Sequence, residues 1–292
     1  MSFHPMKPSE VDLSKIDYGD LRKLGEHSHV VYVNYNKHQF HVKTPEFELP
    51  FDSGKIYPDP KNEESGKYAI RCSLNNHDVD GHSVKDFHDL MYNLDQKILA
   101  EGKKNSLQWF KKKNISDELL NEIYTPMIRV STDKDTGEPN GRFPPSFNFK
   151  MIKKDGTIQC RCMDGSAADT KTAINVDKPD QDDFKDLEVM LRKNAKVKML
   201  LRCNGIWIVN GKFGCTWKAE QIRITPTPGF EECSFLDDSD DEVDVSKIED
   251  NFIQSDDDSD NDDDVNAEVQ PEPEPTPTTK KPKKVRKAKR VA

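Results

Sequence analysis

The sequence lacks the segments and motifs that mark membrane proteins and many enzymes. No apolar run approaches the roughly 20 residues of a membrane-spanning helix, and no apolar N-terminal stretch resembles a signal peptide. A P-loop, a dinucleotide-binding glycine fingerprint, a G-x-S-x-G elbow and an H-E-x-x-H motif are also missing. We therefore expect an intracellular, non-enzymatic protein without a cofactor, although an active site built from scattered residues would leave no such motif.

Metal-binding patterns are equally scarce. The six cysteines form no C-x-x-C pair and lie mostly in apolar, strand-like runs, as is typical of reduced and buried thiols. The eight histidines all fall within the first 88 residues, at spacings that match no zinc site. The acidic residues 180–186 lack the spacing of a calcium-binding loop. The sequence therefore predicts no metal site.

Charge is divided unevenly along the chain. The formal net charge is -9, from 53 Asp and Glu against 44 Lys and Arg. Residues 231–292 hold 20 of the acidic and 9 of the basic residues, a net of -11, which leaves 33 and 35 in residues 1–230, a net of +2. Like-charge runs of this density repel themselves and bury little apolar surface. We predict an N-terminal arm (residues 1–27), a β-rich domain (residues 28–230) and a disordered tail (residues 231–292).

The tail has three parts with different chemistry. Residues 231–270 are acidic, residues 271–279 form a Pro/Thr spacer, and residues 280–290 carry eight basic residues in eleven. If the body has a cationic groove, a tethered polyanion can occupy it, compete there with DNA, and become available to partner proteins once DNA binds. The basic end suits either a nuclear localisation signal or a nucleic-acid contact.

The body shows a predominantly β pattern with inserted helices. About eight segments have the periodicity of strands, one of them an edge strand over residues 47–51, and residues 52–66, rich in proline, glycine and charge, predict a loop. The best helix covers residues 83–102, with Ser83 as its N-cap and Gly102 at its end, and a short second helix is predicted from Ser116. Strands and helices do not alternate one for one, which favours an antiparallel barrel or sandwich with a helix covering one end. An OB-like Greek-key barrel fits this pattern well, as do other α+β folds.

Residues 197–225 are the segment most informative about function. Two strand-like runs flank Asn210-Gly211, a pair that favours a type I′ hairpin turn. Both runs interleave rings with cations: Trp207, Phe213 and Trp217 with Lys198, Arg202, Lys212, Lys218 and Arg223. Such a surface suits a single-stranded nucleic acid, because bases stack on rings while cations neutralise phosphates. For either tryptophan taken alone, packing in the core of a barrel is the more ordinary role.

A second candidate surface covers residues 140–154. Alternation places Phe147 and Phe149 on one face, which is more typical of a core than of a stacking platform. The nearby cations then lie on the opposite face or in the adjoining turn. We therefore include Arg142 and Lys150 in the predicted nucleic-acid site.

The layout of the chain resembles a known class of proteins. A β-rich body followed by an acidic tail is similar to single-stranded-DNA-binding proteins of bacteria and phages. The hairpin around Asn210-Gly211 resembles the late hairpin in replication-associated single-stranded-DNA-binding proteins of large nucleocytoplasmic DNA viruses. The resemblance implies an OB-fold core that coats single strands during viral replication, and a tail that recruits replication proteins. Carried onto this sequence, it singles out four residues of the hairpin: Trp207, Lys212, Phe213 and Trp217.

The sequence thus predicts sequence-independent binding of single-stranded DNA by aromatic stacking and Lys/Arg phosphate contacts, in viral DNA replication or repair. It leaves open RNA as a ligand, self-association, and location in the host cytoplasm, the nucleus or the virion. The alternative is a virion or scaffold protein whose charged tail is an adaptor. A third hypothesis, a histone-chaperone-like role for the acidic tract, would make basic proteins the ligand. Salt dependence separates the first two, because phosphate binding weakens steeply with salt and an apolar interface does not.

Overall fold

The computed structural model describes residues 5–227, which contain thirteen strands and four α-helices. The strands are β1 (Ile16–Lys23), β2 (Ser28–Tyr35), β3 (His38–Gln39), β4 (His41–Glu48), β5 (Ile56–Asp59), β6 (Asn62–Ser73), β7 (Tyr124–Thr125), β8 (Ile128–Arg129), β9 (Ser146–Lys154), β10 (Thr157–Ile158), β11 (Arg161–Asp164), β12 (Lys196–Val209) and β13 (Lys212–Thr225). The helices are α1 (Ser83–Lys104), α2 (Ser106–Phe110), α3 (Asp117–Ile123) and α4 (Leu187–Met190), and two 3-10 turns, Pro8–Glu10 and Leu13–Lys15, precede β1. The predicted acidic, spacer and basic parts of the tail lie outside the described residues.

Five of the strands pair in a closed ring. β4 pairs with β6, β6 with β9, β9 with β13, β13 with β12, and β12 again with β4. All of these pairings are antiparallel except that between β9 and β13, which is parallel. Around the ring the strands follow the chain order first, second, third, fifth, fourth, which makes a five-stranded Greek-key barrel of the OB type. The predicted fold class, mainly β with inserted helices around an OB-like barrel, is confirmed.

Helix α1 covers the barrel with the apolar stripe that its sequence predicts. Six of its apolar side chains are buried: Val84, Phe87, Leu90, Met91, Leu94 and Ile98. The Phe87 ring meets Phe47 of β4 and Phe147 of β9, each edge to face with a centroid distance of 5.0 Å. The N-cap is His82 and not the predicted Ser83, because the His82 ring accepts the Val84 backbone N–H at 3.2 Å.

Among residues 5–227, no helix is both long and apolar enough to cross a membrane.

The N-terminal segment is more regular than the predicted arm. Within the described part of residues 1–27, β1 pairs antiparallel with β2, with a bulge between Tyr18 and Leu21. β2 in turn pairs with the distal half of β12. The bulge interrupts the alternation of apolar and polar residues, which is the pattern that indicates a strand in a sequence.

Two further predicted segments differ in the structure. The edge strand predicted over residues 47–51 is not a separate strand, since β4 runs on to Glu48 and ends there. The predicted loop 52–66 contains β5 and the start of β6, which pair as a hairpin. Proline and glycine predicted irregular backbone here, but pairing with β6 orders it.

A buried carboxyl group ties α1 to the chain before β8. Asp95 is 4% exposed and accepts hydrogen bonds from the Tyr124 hydroxyl and, at 3.1 Å, from the Met127 backbone N–H. Burial outweighs these hydrogen bonds and raises the pKa of Asp95 from 3.8 to about 6. The folded protein therefore holds this proton more tightly than the unfolded chain does.

We expect the free energy of unfolding to fall as the pH rises through this interval, because deprotonation leaves a charge in the protein interior. The stabilisation is fully present below the unfolded pKa of 3.8 and is lost above the folded pKa of about 6. Its size is on the order of 3 kcal/mol. Asp95→Asn cannot ionise, so urea denaturation across this interval should show a flatter pH profile for the variant than for the natural protein. Parallel profiles would contradict the assignment.

Candidate nucleic-acid interface

Two of the three rings predicted to stack on bases lie inside the barrel. Trp217 is 1% exposed and Phe213 is fully buried. The Trp217 indole N–H donates to Met127 Sδ at 3.0 Å, and the ring meets Phe40 edge-on at 5.3 Å. Phe213 packs among three further aromatic side chains: Trp109, Phe110 and Tyr124. The prediction that Trp217 and Phe213 stack on bases is therefore corrected, because neither ring presents a face to solvent.

Trp207, by contrast, faces the outside of the barrel. Its indole covers Gly214, where an added Cβ would lie 2.9 Å from Trp207 Cζ2. In the register of the sheet, Trp207 forms a row with Val30 of β2 and Arg22 of β1. The Arg22 guanidinium lies 5.4 Å from the ring centroid of the exposed Tyr32. Trp207 therefore belongs to a small patch of rings and cation that is partly open to solvent.

A row of three cationic side chains crosses three adjacent strands. Arg202 of β12 is paired with Lys218 of β13, and Lys218 is paired with Lys150 of β9. Cross-strand partners point to the same face of a sheet. All three residues are partly exposed, while their neighbours along each strand point into the core. The structure thus brings together three residues of the predicted site, which we call the basic row.

Glu220 lies beside the basic row. It is the extra residue of a bulge in β13, and its carboxylate contacts His41 Nε2 at 2.9 Å and Arg202 Nη1 at 3.2 Å. The pKa of Lys218 is lowered, first by partial burial and then by the positive charge of Arg202. Glu220 therefore balances the charge of Arg202, while Lys218 remains in an environment that disfavours its cation. A phosphate bound at Lys218 would relieve that cost.

The outer face continues over β9 and β6 with residues that the sequence did not single out. Lys67 and Arg71 lie on β6, and Arg71 Nε donates to Asn148 Oδ1 at 3.2 Å. The Arg71 guanidinium also lies 5.4 Å from the ring centroid of Phe51, and Tyr57 of β5 is paired with Lys67. Phe51 and Tyr57 are 48% and 54% exposed. Two rings available for stacking therefore flank this part of the barrel.

The remaining predicted cations lie at the margins of this surface. Lys198 is exposed and is paired with Arg223 across the hairpin of β12 and β13. The Nε atom of Arg223 is buried and has no hydrogen-bond partner among the described residues. Lys212 is exposed and directly follows the hairpin turn. Arg142 lies in the loop before β9, with its guanidinium 5.2 Å from the ring centroid of Phe143. None of these four cations belongs to the basic row.

The surface can hold a polyanion that carries flat rings. Its cations can neutralise phosphates, and its exposed aromatic side chains can stack on bases. Within residues 5–227, no group of three or more His, Cys, Asp or Glu is placed to hold a metal ion.

The chain matches no known protein family and no curated protein. Among solved structures, it is similar to gp2.5, a single-stranded DNA-binding protein encoded by bacteriophage T7, with 11% identity and a TM-score of 0.39 over 70% of this chain and 100% of that one. It is also similar to the single-stranded DNA-binding protein from bacteriophage Enc34 in complex with single-stranded DNA, with 9% identity and a TM-score of 0.37 over 72% of this chain and 96% of that one.

Proposed function

We propose that this protein binds single-stranded DNA without sequence preference and without catalysing a reaction. The observation that carries the proposal is the basic row on the outside of a five-stranded barrel, with a partly exposed ring on one side and two exposed rings on the other. Trp207 lies on the side of β12, and Phe51 and Tyr57 lie on the side of β6. Cations at the centre contact phosphates, and rings at the flanks stack on bases.

The position of these residues in the barrel supports the same proposal. OB barrels bind oligonucleotides on the face of their second and third strands and with the loops that follow the first and fourth strands. In this chain those strands are β6 and β9, which carry Lys67, Arg71 and Lys150. The segment after the first strand of the ring carries Phe51 and Tyr57, and the turn after the fourth precedes Lys212. Rings and cations thus occur where this architecture receives a strand.

We also propose a role for the tail. Residues 231–270 are acidic, and residues 231–292 together carry a net charge of -11, which is complementary to the basic row. In this proposal the acidic tract competes with DNA for the body and, when displaced, recruits replication proteins. The basic residues 280–290 then serve as a nuclear signal or as a further nucleic-acid contact. A place in viral DNA replication or repair, in host cytoplasm, nucleus or virion, belongs to the same proposal.

Fluorescence anisotropy of a labelled oligo-dT tests both parts across a salt series, with the full chain and with a chain that lacks only the acidic residues 231–270, so that the basic residues 280–290 stay in place. We expect the logarithm of the association constant to fall linearly with the logarithm of salt concentration, with a slope of about -0.7 per phosphate contacted. Removing the acidic tract should tighten binding, most strongly at low salt, because a competing polyanion is lost.

The outcomes separate the hypotheses. Binding by neither chain at low salt would contradict the proposal and favour the virion or scaffold alternative. Unchanged affinity after removal of the acidic tract would reject only its competition with DNA. An oligo-rU of the same length shows whether RNA is bound as well as DNA, and analytical ultracentrifugation of the free protein shows whether it self-associates.

A further inference from the structure

The outer face of β6 and β9 leads into a groove formed by two loops. The groove has a volume of about 430 Å³ and is lined by the segment after β6 (residues 76–78) and by residues of the long loop before β9. This volume lies within the range of small-ligand sites, roughly 300–1,000 Å³. Its most exposed apolar side chains are Val130 and Phe143, which are 51% and 60% exposed.

The groove is continuous with the proposed DNA-binding surface. Ser73 of β6 is paired with Ser146 of β9 at the end of the ladder, and one residue further the Leu74 N–H donates to the Pro145 carbonyl at 2.8 Å. Phe143 therefore lies just before β9, the strand that carries Lys150. A single strand of DNA that crosses the basic row and runs along β9 would reach the groove.

The loop that carries Phe143 is held in shape by its own hydrogen bonds. Ser131 Oγ donates to Asn140 Oδ1 at 2.7 Å, and the same oxygen accepts the Arg142 backbone N–H at 3.0 Å. The Asn140 N–H donates to the Ser131 carbonyl at 2.9 Å, next to a bridge between Thr132 and Pro139. An exposed ring on a braced loop can stack on a ligand at a small ordering cost.

The lining of the groove suits a base. Asp78 and Arg142 both line it with opposite charges, and the Asp78 carboxylate can accept hydrogen bonds from the exocyclic amino groups of bases. The Arg142 guanidinium already lies over one side of the Phe143 ring, an arrangement that a stacked base can extend. We propose that this groove is a nucleobase subsite, in which one base of the bound strand stacks on Phe143 while its phosphates remain outside. The proposal rests on the proposed DNA-binding function.

The test compares two oligonucleotides of equal length and charge, oligo-dC and a fully abasic chain, with the full-length protein at one low salt concentration. Phe143→Ala should weaken oligo-dC binding by about 5- to 150-fold, the loss typical of one stacked base. It should leave binding of the abasic chain unchanged, because that chain has no ring to stack. Phe143→Tyr, which keeps an aromatic ring, should bind oligo-dC as the natural protein does.

Leu107→Ala is the matched control, since Leu107 is an apolar residue of α2 that is 61% exposed, close to the exposure of Phe143. It should change neither affinity. An equal loss with both oligonucleotides would show that Phe143 supports the loop or a phosphate contact, and no loss with either would show that no base occupies the groove; each result overturns the subsite. The double variant Lys150→Ala/Lys218→Ala should weaken the binding of both oligonucleotides if the proposed function holds. If the double variant weakens binding and Phe143→Ala does not, the proposed function stands and only the subsite is wrong.

Discussion

Trp217→Ala is expected to lower the free energy of unfolding by about 3–5 kcal/mol, because it empties a large site in the core of the barrel. Trp217 is 1% exposed, and the substitution also removes its contacts with Phe40 and Met127. Affinity for oligo-dT, corrected for the folded fraction, should not change. Trp207→Ala should do the reverse, with a small loss of stability and about 5- to 150-fold weaker binding if its partly exposed ring stacks on one base.

Urea denaturation and anisotropy on the two variants measure both quantities. Trp217→Phe keeps an aromatic ring in the core and provides a folded protein in case Trp217→Ala does not fold. The contrary result is a folded Trp217 variant that binds DNA more weakly and a Trp207 variant that binds it normally. It would show that Trp217, and not Trp207, contacts DNA.

Removing two charges from the basic row should weaken the binding of single-stranded DNA whatever the DNA sequence, and should reduce the salt dependence of that binding. For Lys150→Ala/Lys218→Ala, the slope of the salt plot should become shallower by about 1.4, since each phosphate contact on a single strand contributes about 0.7. The affinity near 0.1 M salt should fall on the order of 25-fold if only these contacts are lost. Arg202 stays in place in this variant, so its ion pair with Glu220 is not disturbed.

Lys97→Ala/Lys104→Ala removes the same charge from α1, a helix outside the three strands that carry the basic row. Lys104 is exposed and pairs with Glu101 at 3.6 Å, a surface contact whose loss costs little stability. This control should leave the slope nearly unchanged. Equal effects of the two double variants would mean that net charge and not the basic row governs binding, and would contradict the proposed site.

Local signals were sufficient for the turn of the hairpin and for the buried face of the main helix, but not for the ends of that helix, which is capped by His82 and not Ser83 and runs on past Gly102 to Lys104. Asn210 and Gly211 have φ values of 48° and 81°, as a type I′ turn requires of both central residues. The apolar stripe of α1 is buried as its spacing of three and four residues predicts. Ser116 caps α3 by accepting the Leu119 N–H, again as its position before an apolar run predicts. These features depend on residues within a few positions of one another.

The residues on β5 and β6 show where such signals end. Phe51 and Tyr57 fall in or beside a segment rich in proline and glycine, which predicts a loop and not a functional surface. The only signal in the sequence was that a polar segment, of a composition typical of exposed loops, also carries two aromatic residues. Their proximity to Arg71 and Lys67 depends on the β5–β6 hairpin and on the ring of strands, which no local pattern encodes.

The sequence by itself determined that residues 197–225 form a hairpin with a tryptophan in each strand. Only the tertiary structure decided that these tryptophans face opposite sides. In a regular strand Trp207 would share the inner face of Cys203, which is paired with Trp217, because side chains alternate with a period of two. One extra residue between Cys203 and Gly205 shifts that alternation and turns Trp207 outward. Gly205 permits the shift because its φ is +102° and an added Cβ would lie 2.5 Å from the Val31 carbonyl of β2, a strand that lies far away in sequence.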